Sequence, residues 1–204
     1  MANIKFNTYI ITSDDISLKK QLLYLKKLKN YKYKKEIAIQ IRFNYQTEKT
    51  IIDFIRELQS ELSDIRLIIN NSISIMDKLD LDGVHLKENI NLENLDIKKY
   101  QNNNKLILKS THSIESIKNA EKFNLDAITY SPIFDTPSKR KYGKPNGYEL
   151  IKNNKFNVPI FALGGINMDN LAELKGYFHG IAAIRMFINE NIVNNLMEVK
   201  KIWK

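Results

Sequence analysis

Eight short apolar runs punctuate the chain, and most are followed by a stretch in which hydrophobic residues recur every three or four positions. Residues 36–42, EIAIQIR, show the strand period most clearly. Successive side chains of a strand point to opposite sides, so Ile37, Ile39 and Ile41 share one face and Ala38, Gln40 and Arg42 the other. Residues 7–12 (NTYIIT), 67–70, 82–86 (DGVHL), 106–108, 127–130, 158–163 (VPIFAL) and 180–184 read as the other seven strands. Helical spacing follows the first strand at Leu18, Leu22, Leu25 and Leu28, with Ser13-Asp14-Asp15 as the expected cap. Ile51, Ile52, Ile55, Leu58 and Leu62 form the buried stripe of a helix over residues 47–62. A short helix is expected to end at Leu79, a weak one over 92–100, and one capped by Ser113 to reach Phe123. A last helix carries Ile192, Leu196, Val199 and Ile202.

Strand and helix alternate about eight times without a run of hairpins, which predicts an α/β protein with a parallel sheet. Eight units in 204 residues fit a single-domain TIM (β/α)8 barrel over residues 1–204, at the small end of that fold's range. A doubly wound open sheet is the alternative, but no GxGxxG follows the first strand. The barrel reading carries a geometric consequence: residues just past each strand should crowd the C-terminal rim. These are Thr12 and Ser13, Arg42 and Asn44, Asn70 and Asn71, His85 and Glu88, Ser110 to His112, Thr136 to Lys139, Gly164 and Gly165, and Arg185. The set is polar and suited to phosphate, and barrels often hold a phosphate on backbone N–H groups after strands seven and eight.

Residues 127–147, AITYSPIFDTPSKRKYGKPNG, sharpen that picture. A buried-type strand breaks at Pro132 into a loop with Thr136, Ser138, Lys139, Arg140, Lys141 and Lys144 close together. Hydroxyls beside cations, with Gly143 and Gly147 permitting tight turns, suit an anionic group such as pyrophosphate; the competing reading is a solvated basic loop.

Composition narrows the class. The chain has no cysteine, which excludes disulfides, thiolate metal sites and a cysteine nucleophile. Its apolar runs fall far short of the roughly 18 residues of a membrane span, and the N-terminus lacks a signal peptide's features, so no membrane association and a soluble cytoplasmic protein are expected. The net charge of +9 suits either nucleic acid or a small anionic substrate. Lysines are spread along the whole chain and no helix-turn-helix, zinc finger or RNP motif accompanies them, which argues against nucleic acid. No metal-ligand spacing joins His85, His112 and His179, so zinc is not expected.

The motifs QIR (40–42), LIINN (67–71), DGVHL (82–86), STHS (110–113), SPIFDTPSK (131–139), ALGGIN (162–167) and GIAAIR (180–185) resemble, in order and spacing, those of the thiamin phosphate synthase and TenI superfamily. The resemblance spans nearly the whole chain. It implies a TIM barrel that joins hydroxymethylpyrimidine diphosphate to thiazole phosphate and releases pyrophosphate with Mg²⁺. It implies that Arg42, Asn70, Ser110, Thr136, Ser138 and Lys139 hold the diphosphate, with Lys139, Ser110 and Arg42 as the catalytic candidates. The backbone of Gly165 and of Ile184 and Arg185 would hold the thiazole phosphate; Gln40, Asn44, His85, His112 and Gly164 complete the expected substrate contacts. The family is compatible with a homo-oligomer, dimer or trimer.

Several positions depart from the synthase pattern. Asn44 stands where the synthase has a lysine, Asn71 where it has a magnesium-binding aspartate, and Ile90 where a second acid follows the fourth strand. Mg²⁺ usually takes at least one carboxylate together with substrate phosphates, so these changes weaken the expected metal site, with Glu88 or Asp135 as stand-ins. The TenI-like thiazole tautomerases need no such metal, but they carry a histidine where this chain has Pro132. Three readings follow: a synthase-like transferase, a TenI-like tautomerase, and a barrel that binds a thiamin-pathway phosphate without turnover. His112 is the best acid–base candidate by position, with capping or structural support as the plainer role. His85 is expected to be a hydrogen-bonded barrel residue, His179 a loop residue, and Arg185 either a phosphate ligand or the partner of a local carboxylate.

Overall fold

The computed structural model describes residues 4–136 and 145–203. Eight parallel strands close into a barrel in sequence order: β1 (Thr8–Ile11), β2 (Ile37–Ile41), β3 (Arg66–Asn70), β4 (Gly83–Leu86), β5 (Leu106–Thr111), β6 (Ala127–Tyr130), β7 (Ile160–Leu163) and β8 (Gly180–Ala183), with β8 returning to β1. The helices are α1 (Leu18–Lys26), α2 (Glu48–Glu61), α3 (Ile73–Lys78), α4 (Ile97–Asn102), α5 (Ile114–Lys122), α6 (Glu149–Lys152) and α7 (Ile192–Trp203). This is the TIM barrel expected from the alternation, and the open-sheet alternative is excluded by the β1–β8 pairing.

The period-two pattern sorts the strands into two cores. Phe6, Tyr9, Ile11, Ala38, Ile68, Leu106, Leu108, Ala127, Phe161 and Ala182 fill the barrel, while the alternate residues, among them Ile37, Ile39, Ile41, Leu67, Ile69, Val84 and Ile107, pack against the helices. Inside, Phe6 stacks on Phe161 with ring centroids 5.1 Å apart, and Tyr9 lies 5.9 Å from Phe161. These aromatics plug the lower barrel, so its polar residues are displayed toward the C-terminal mouth.

Strand starts and helix ends are set by short polar side chains. Asp82 Oδ2 accepts from the Leu67 amide at 2.8 Å, and Asp126 Oδ2 from the Ile107 amide at 2.8 Å, so the two Leu-Asp steps before β4 and β6 each tie a neighbouring strand. Asp64, Asp80, Asn104 and Asn124 adopt φ of 68°, 50°, 59° and 52° where helices turn back into strands. Aspartate and asparagine tolerate this left-handed region better than other residues with a Cβ, which lets a chain with only 7 glycines make these turns.

The structure revises several local expectations. Ser17, not the Ser13-Asp14-Asp15 run, caps α1, accepting from the Lys20 amide; Ser13 instead binds the buried Gln21 side chain. Strand β5 runs on to Thr111, because pairing with β6 continues through Ser110↔Thr129 and Thr111↔Tyr130. The β7–β8 connection contains only a 3-10 turn at Leu171–Leu174, and the four-residue α6 was not anticipated, being too short for any hydrophobic period. Thr47 caps α2 and Ser113 caps α5 in a capping box with Ser116, as the sequence implies.

Candidate active site

Because β2 turns Gln40 inward, its amide donates to Asn70 Oδ1 at 3.1 Å across the β2–β3 seam. One strand further, Asn70 pairs with His85 in the sheet register. The His85 ring is buried and engaged at both nitrogens: Nδ1 lies 3.2 Å from Tyr9 Oη and Nε2 3.0 Å from Ser110 Oγ, with Thr129 Oγ1 at 3.5 Å. Tyr9 also stacks on the imidazole at 5.7 Å between ring centroids. Burial, together with the nearby Arg42 charge, lowers the His85 pKa to about 3, so the ring is neutral at physiological pH. His85 is thus a hydrogen-bonded barrel residue, as one reading of the sequence had it, and it supports Ser110, the half-buried group nearer the mouth.

Arg42 follows β2 on the same inward face, half-buried, with no ion-pair partner among the described residues. Its backbone is pinned by Thr12, whose hydroxyl accepts from the Arg42 amide at 2.8 Å and donates to the Arg42 carbonyl at 3.3 Å. Asn44 is engaged elsewhere: its backbone and side-chain N–H groups both donate to Asp14 Oδ2, at 2.7 and 3.2 Å, fastening two exposed rim loops together. Arg185 is exposed and 4.0 Å from Asp15 Oδ2, a loose contact between solvated groups.

Across the mouth, Gly164 and Gly165 adopt φ of 100° and 71°. A Cβ on Gly164 would stand 2.9 Å from Pro132 Cα, and one on Gly165 2.6 Å from the Asp135 carbonyl oxygen. Glycine here lets the loop after β6 lie directly on the end of β7, where the Phe134 amide donates to Gly164 O at 3.0 Å. The amides of Gly165, Ile184 and Arg185 donate to no protein acceptor among the described residues. The Ile184 carbonyl accepts from Ile188 at 2.9 Å, so Ile184 and Arg185 open a single helical turn with their N–H groups unused. These amides after β7 and β8 lie at the place where barrels commonly bind phosphate.

His112 joins β5 to β6. Its Nδ1–H donates to the Ser131 carbonyl at 2.6 Å, and Asn146 donates to both the His112 and Ser131 carbonyls at 2.9 Å. Glu88 accepts from the His112 amide at 3.0 Å. With Nδ1 spent on a carbonyl, His112 is held as a strap between the β5 and β6 loops. His179 lies at the opposite end of the barrel, donating to the Phe6 carbonyl at 3.0 Å. Sequence reasoning passed over Lys109, which faces away from the barrel interior, is buried, and donates to the Ile90 carbonyl at 2.7 Å; burial lowers its pKa. It also passed over Tyr9, which shares a strand face with Ile11; alternation pairs the two, and only the closed barrel makes that face the inner one.

The described residues do not fit a carboxylate-held Mg²⁺. At the two rim positions stand Asn71, whose Oδ1 already accepts from the Lys87 amide at 3.3 Å, and Ile90, which offers no side-chain donor. Of the two stand-ins, Glu88 is tied to His112 and Asp135 is itself engaged. No group of three or more His, Asp or Glu that could hold a metal occurs among the described residues. Thr136 is buried beside the mouth; Ser138 and Lys139, expected in substrate binding and catalysis, lie outside the described residues.

A (β/α)8 barrel with a polar inward set from β2, β3 and β5, and with amides after β7 and β8 that meet no protein acceptor among the described residues, has the layout of a barrel enzyme. The family model described as thiamine monophosphate synthase matches residues 8–187, and the chain belongs to that family of transferases in thiamin biosynthesis. A thiamine-phosphate synthase of Halalkalibacterium halodurans is 33% identical over 140 residues, 67% of this chain and 66% of that protein. One from Syntrophomonas wolfei subsp. wolfei is 26% identical over 210 aligned residues, 100% of this chain and 99% of that protein. Among solved structures, a thiamine phosphate pyrophosphorylase from Pyrococcus furiosus superposes with a TM-score of 0.75 at 23% identity, covering 98% of this chain and 96% of that one; at this identity the likeness speaks to fold. No helix of the described residues is long and apolar enough to cross a membrane.

Proposed function

We propose that the protein joins hydroxymethylpyrimidine diphosphate to a thiazole phosphate and releases pyrophosphate. In this reading the C–O bond between the pyrimidine methylene and the diphosphate breaks, the electron pair leaving with pyrophosphate. The thiazole nitrogen lone pair then forms the new C–N bond. The barrel's part is electrostatic support of the departing anion and alignment of the two rings. Arg42, Asn70 and Ser110 would hold the diphosphate on one side of the mouth, joined by Thr136 and by Ser138 and Lys139. The amides of Gly165, Ile184 and Arg185 would hold the thiazole phosphate at the ends of β7 and β8.

The observation that carries this reading is that two anion-suited surfaces share one rim: the Arg42 guanidinium, without an ion-pair partner among the described residues, with Ser110, and the amides of Gly165, Ile184 and Arg185, which meet no protein acceptor among the described residues. Two phosphorylated ligands meeting head to head need two such surfaces. The test is release of inorganic pyrophosphate from purified protein given both phosphorylated substrates and Mg²⁺. Absence of release at saturating substrate rejects the transferase reading.

Asn71 and Ile90 favour a second reading, in which the barrel binds a thiamin-pathway phosphate or tautomerises a thiazole without expelling pyrophosphate, since the carboxylates that would accompany a metal are missing. Thiazole tautomerisation without pyrophosphate release in the same assay would select it.

A further inference from the structure

A buried phenol, a neutral imidazole and a serine hydroxyl are threaded in series from the barrel floor to the mouth. Tyr9 is wholly buried on β1, and His85 Nδ1, 3.2 Å away, is the one acceptor its hydroxyl has among the described residues. Ser110 Oγ, 3.0 Å from Nε2, is the outermost of the three. We propose that Tyr9 sets the tautomer of His85 and thereby commits Ser110 to donate its proton outward, into the mouth.

The reasoning counts protons. A neutral imidazole donates at one nitrogen and accepts at the other, and the hydrogen bond at one end decides the role of the other. If Nδ1 carried the proton it would donate to Tyr9, and the phenolic O–H would be left in the core with nothing to bind. An orphaned buried donor forfeits its hydration without return. If Nε2 carries the proton, Tyr9 donates to Nδ1 and Nε2–H donates to Ser110 Oγ. The Ser110 O–H is then displaced from the imidazole and points away from it. Thr129, at 3.5 Å from Nε2, is too far to reverse this balance by donating there. Both Tyr9 and His85 act through Ser110 and are positioning residues. A serine free to rotate would accept as readily as it donates; a serine held as a donor discriminates for an anion such as a phosphoryl oxygen.

The relay deepens the proposed function, on which it rests only for the identity of the anion. Nitrogen-15 spectra of the imidazole report the protonated nitrogen directly, without turnover. The expected result is an Nε2–H tautomer for His85 in the wild-type protein, with the Nδ1–H form gaining population in Tyr9→Phe. Binding of inorganic pyrophosphate, measured by calorimetry, should weaken about tenfold in Tyr9→Phe and in Ser110→Ala. The double variant should bind no more weakly than Ser110→Ala alone, because both changes remove the same donated proton. A wild-type Nδ1–H tautomer, or fully additive losses, overturns the proposal. Should Tyr9→Phe fail to fold, the wild-type spectrum decides the tautomer by itself. An Nε2–H tautomer in a protein that binds no pyrophosphate keeps the relay and rejects the functional reading.

Discussion

A Cβ added to Gly165 would stand 2.6 Å from the carbonyl oxygen of Asp135, so the end of β7 and the loop after β6 touch backbone to backbone. The contact fixes the Gly165 backbone against the start of the loop that carries Thr136. Gly165→Ala forces the loop away and asks alanine to adopt φ near 71°. We expect a loss of about 1–3 kcal/mol in stability by denaturant unfolding and at least a tenfold loss in phosphate affinity. Unchanged phosphate binding in a folded Gly165→Ala protein would show that the Gly165 amide is not part of the phosphate site.

Arg42 should behave in the opposite way. It lies at the mouth with no ion pair among the described residues, so little stability depends on its charge. Arg42→Met is expected to melt within a few degrees of wild type while pyrophosphate affinity falls by tenfold or more. Arg42→Lys should recover only part of the loss, since an ammonium lacks the planar fork. A variant that binds pyrophosphate normally removes Arg42 from the site.

The His85 pKa predicts an acid limb of stability. The ordinary value is 6.5 and the buried ring sits at about 3, lowered by burial first and by Arg42 second. Between these values the unfolded chain holds a proton that the folded barrel does not. The stabilisation is complete above about pH 6.5 and is lost progressively as pH falls toward 3. His179, also lowered by burial, adds to the same limb. Melting temperature measured from pH 7.5 to 4.5 should fall, and His85→Gln should flatten part of that decline. Equal slopes in the two proteins would contradict the neutral, buried state assigned to His85.

The degenerate metal positions give a gain-of-function test. Asn71→Asp with Ile90→Asp places two carboxylates at the ends of β3 and β4. We expect Mg²⁺ to strengthen pyrophosphate binding by tenfold or more in the double variant and by less than threefold in the parent, followed by calorimetry with and without the metal. An equally strong metal effect in the parent would mean that its own residues already support Mg²⁺.

Much of the barrel could be read from local pattern. The strict alternation of residues 36–42 put Gln40 and Arg42 on one face before any strand was paired, and Gly164-Gly165 after an apolar run fell on the rim, although the backbone approach that a Cβ would block emerged only from the fold. Strand faces and rim positions depend on neighbours in the chain, so period and residue type are enough to find them. Ser17 in place of Ser13 as the α1 cap was harder, since several hydroxyl and carboxylate residues compete within five positions and only the path of the loop selects one.

What the sequence alone determined is therefore the repeat of strand and helix, the inward and outward faces, and the rim on which polar residues collect. The tertiary structure decided which of those residues are committed and which are available. Asn44 is captured by Asp14, 30 positions earlier, while Arg42 beside it is not; His112 is taken up by Ser131, and Ser110 rests on a histidine that itself rests on Tyr9, 76 positions away. Hydrogen-bond partners across a closed barrel are set by register and strand order, which bring distant residues within 2.6 to 3.2 Å of one another. No local period carries that information.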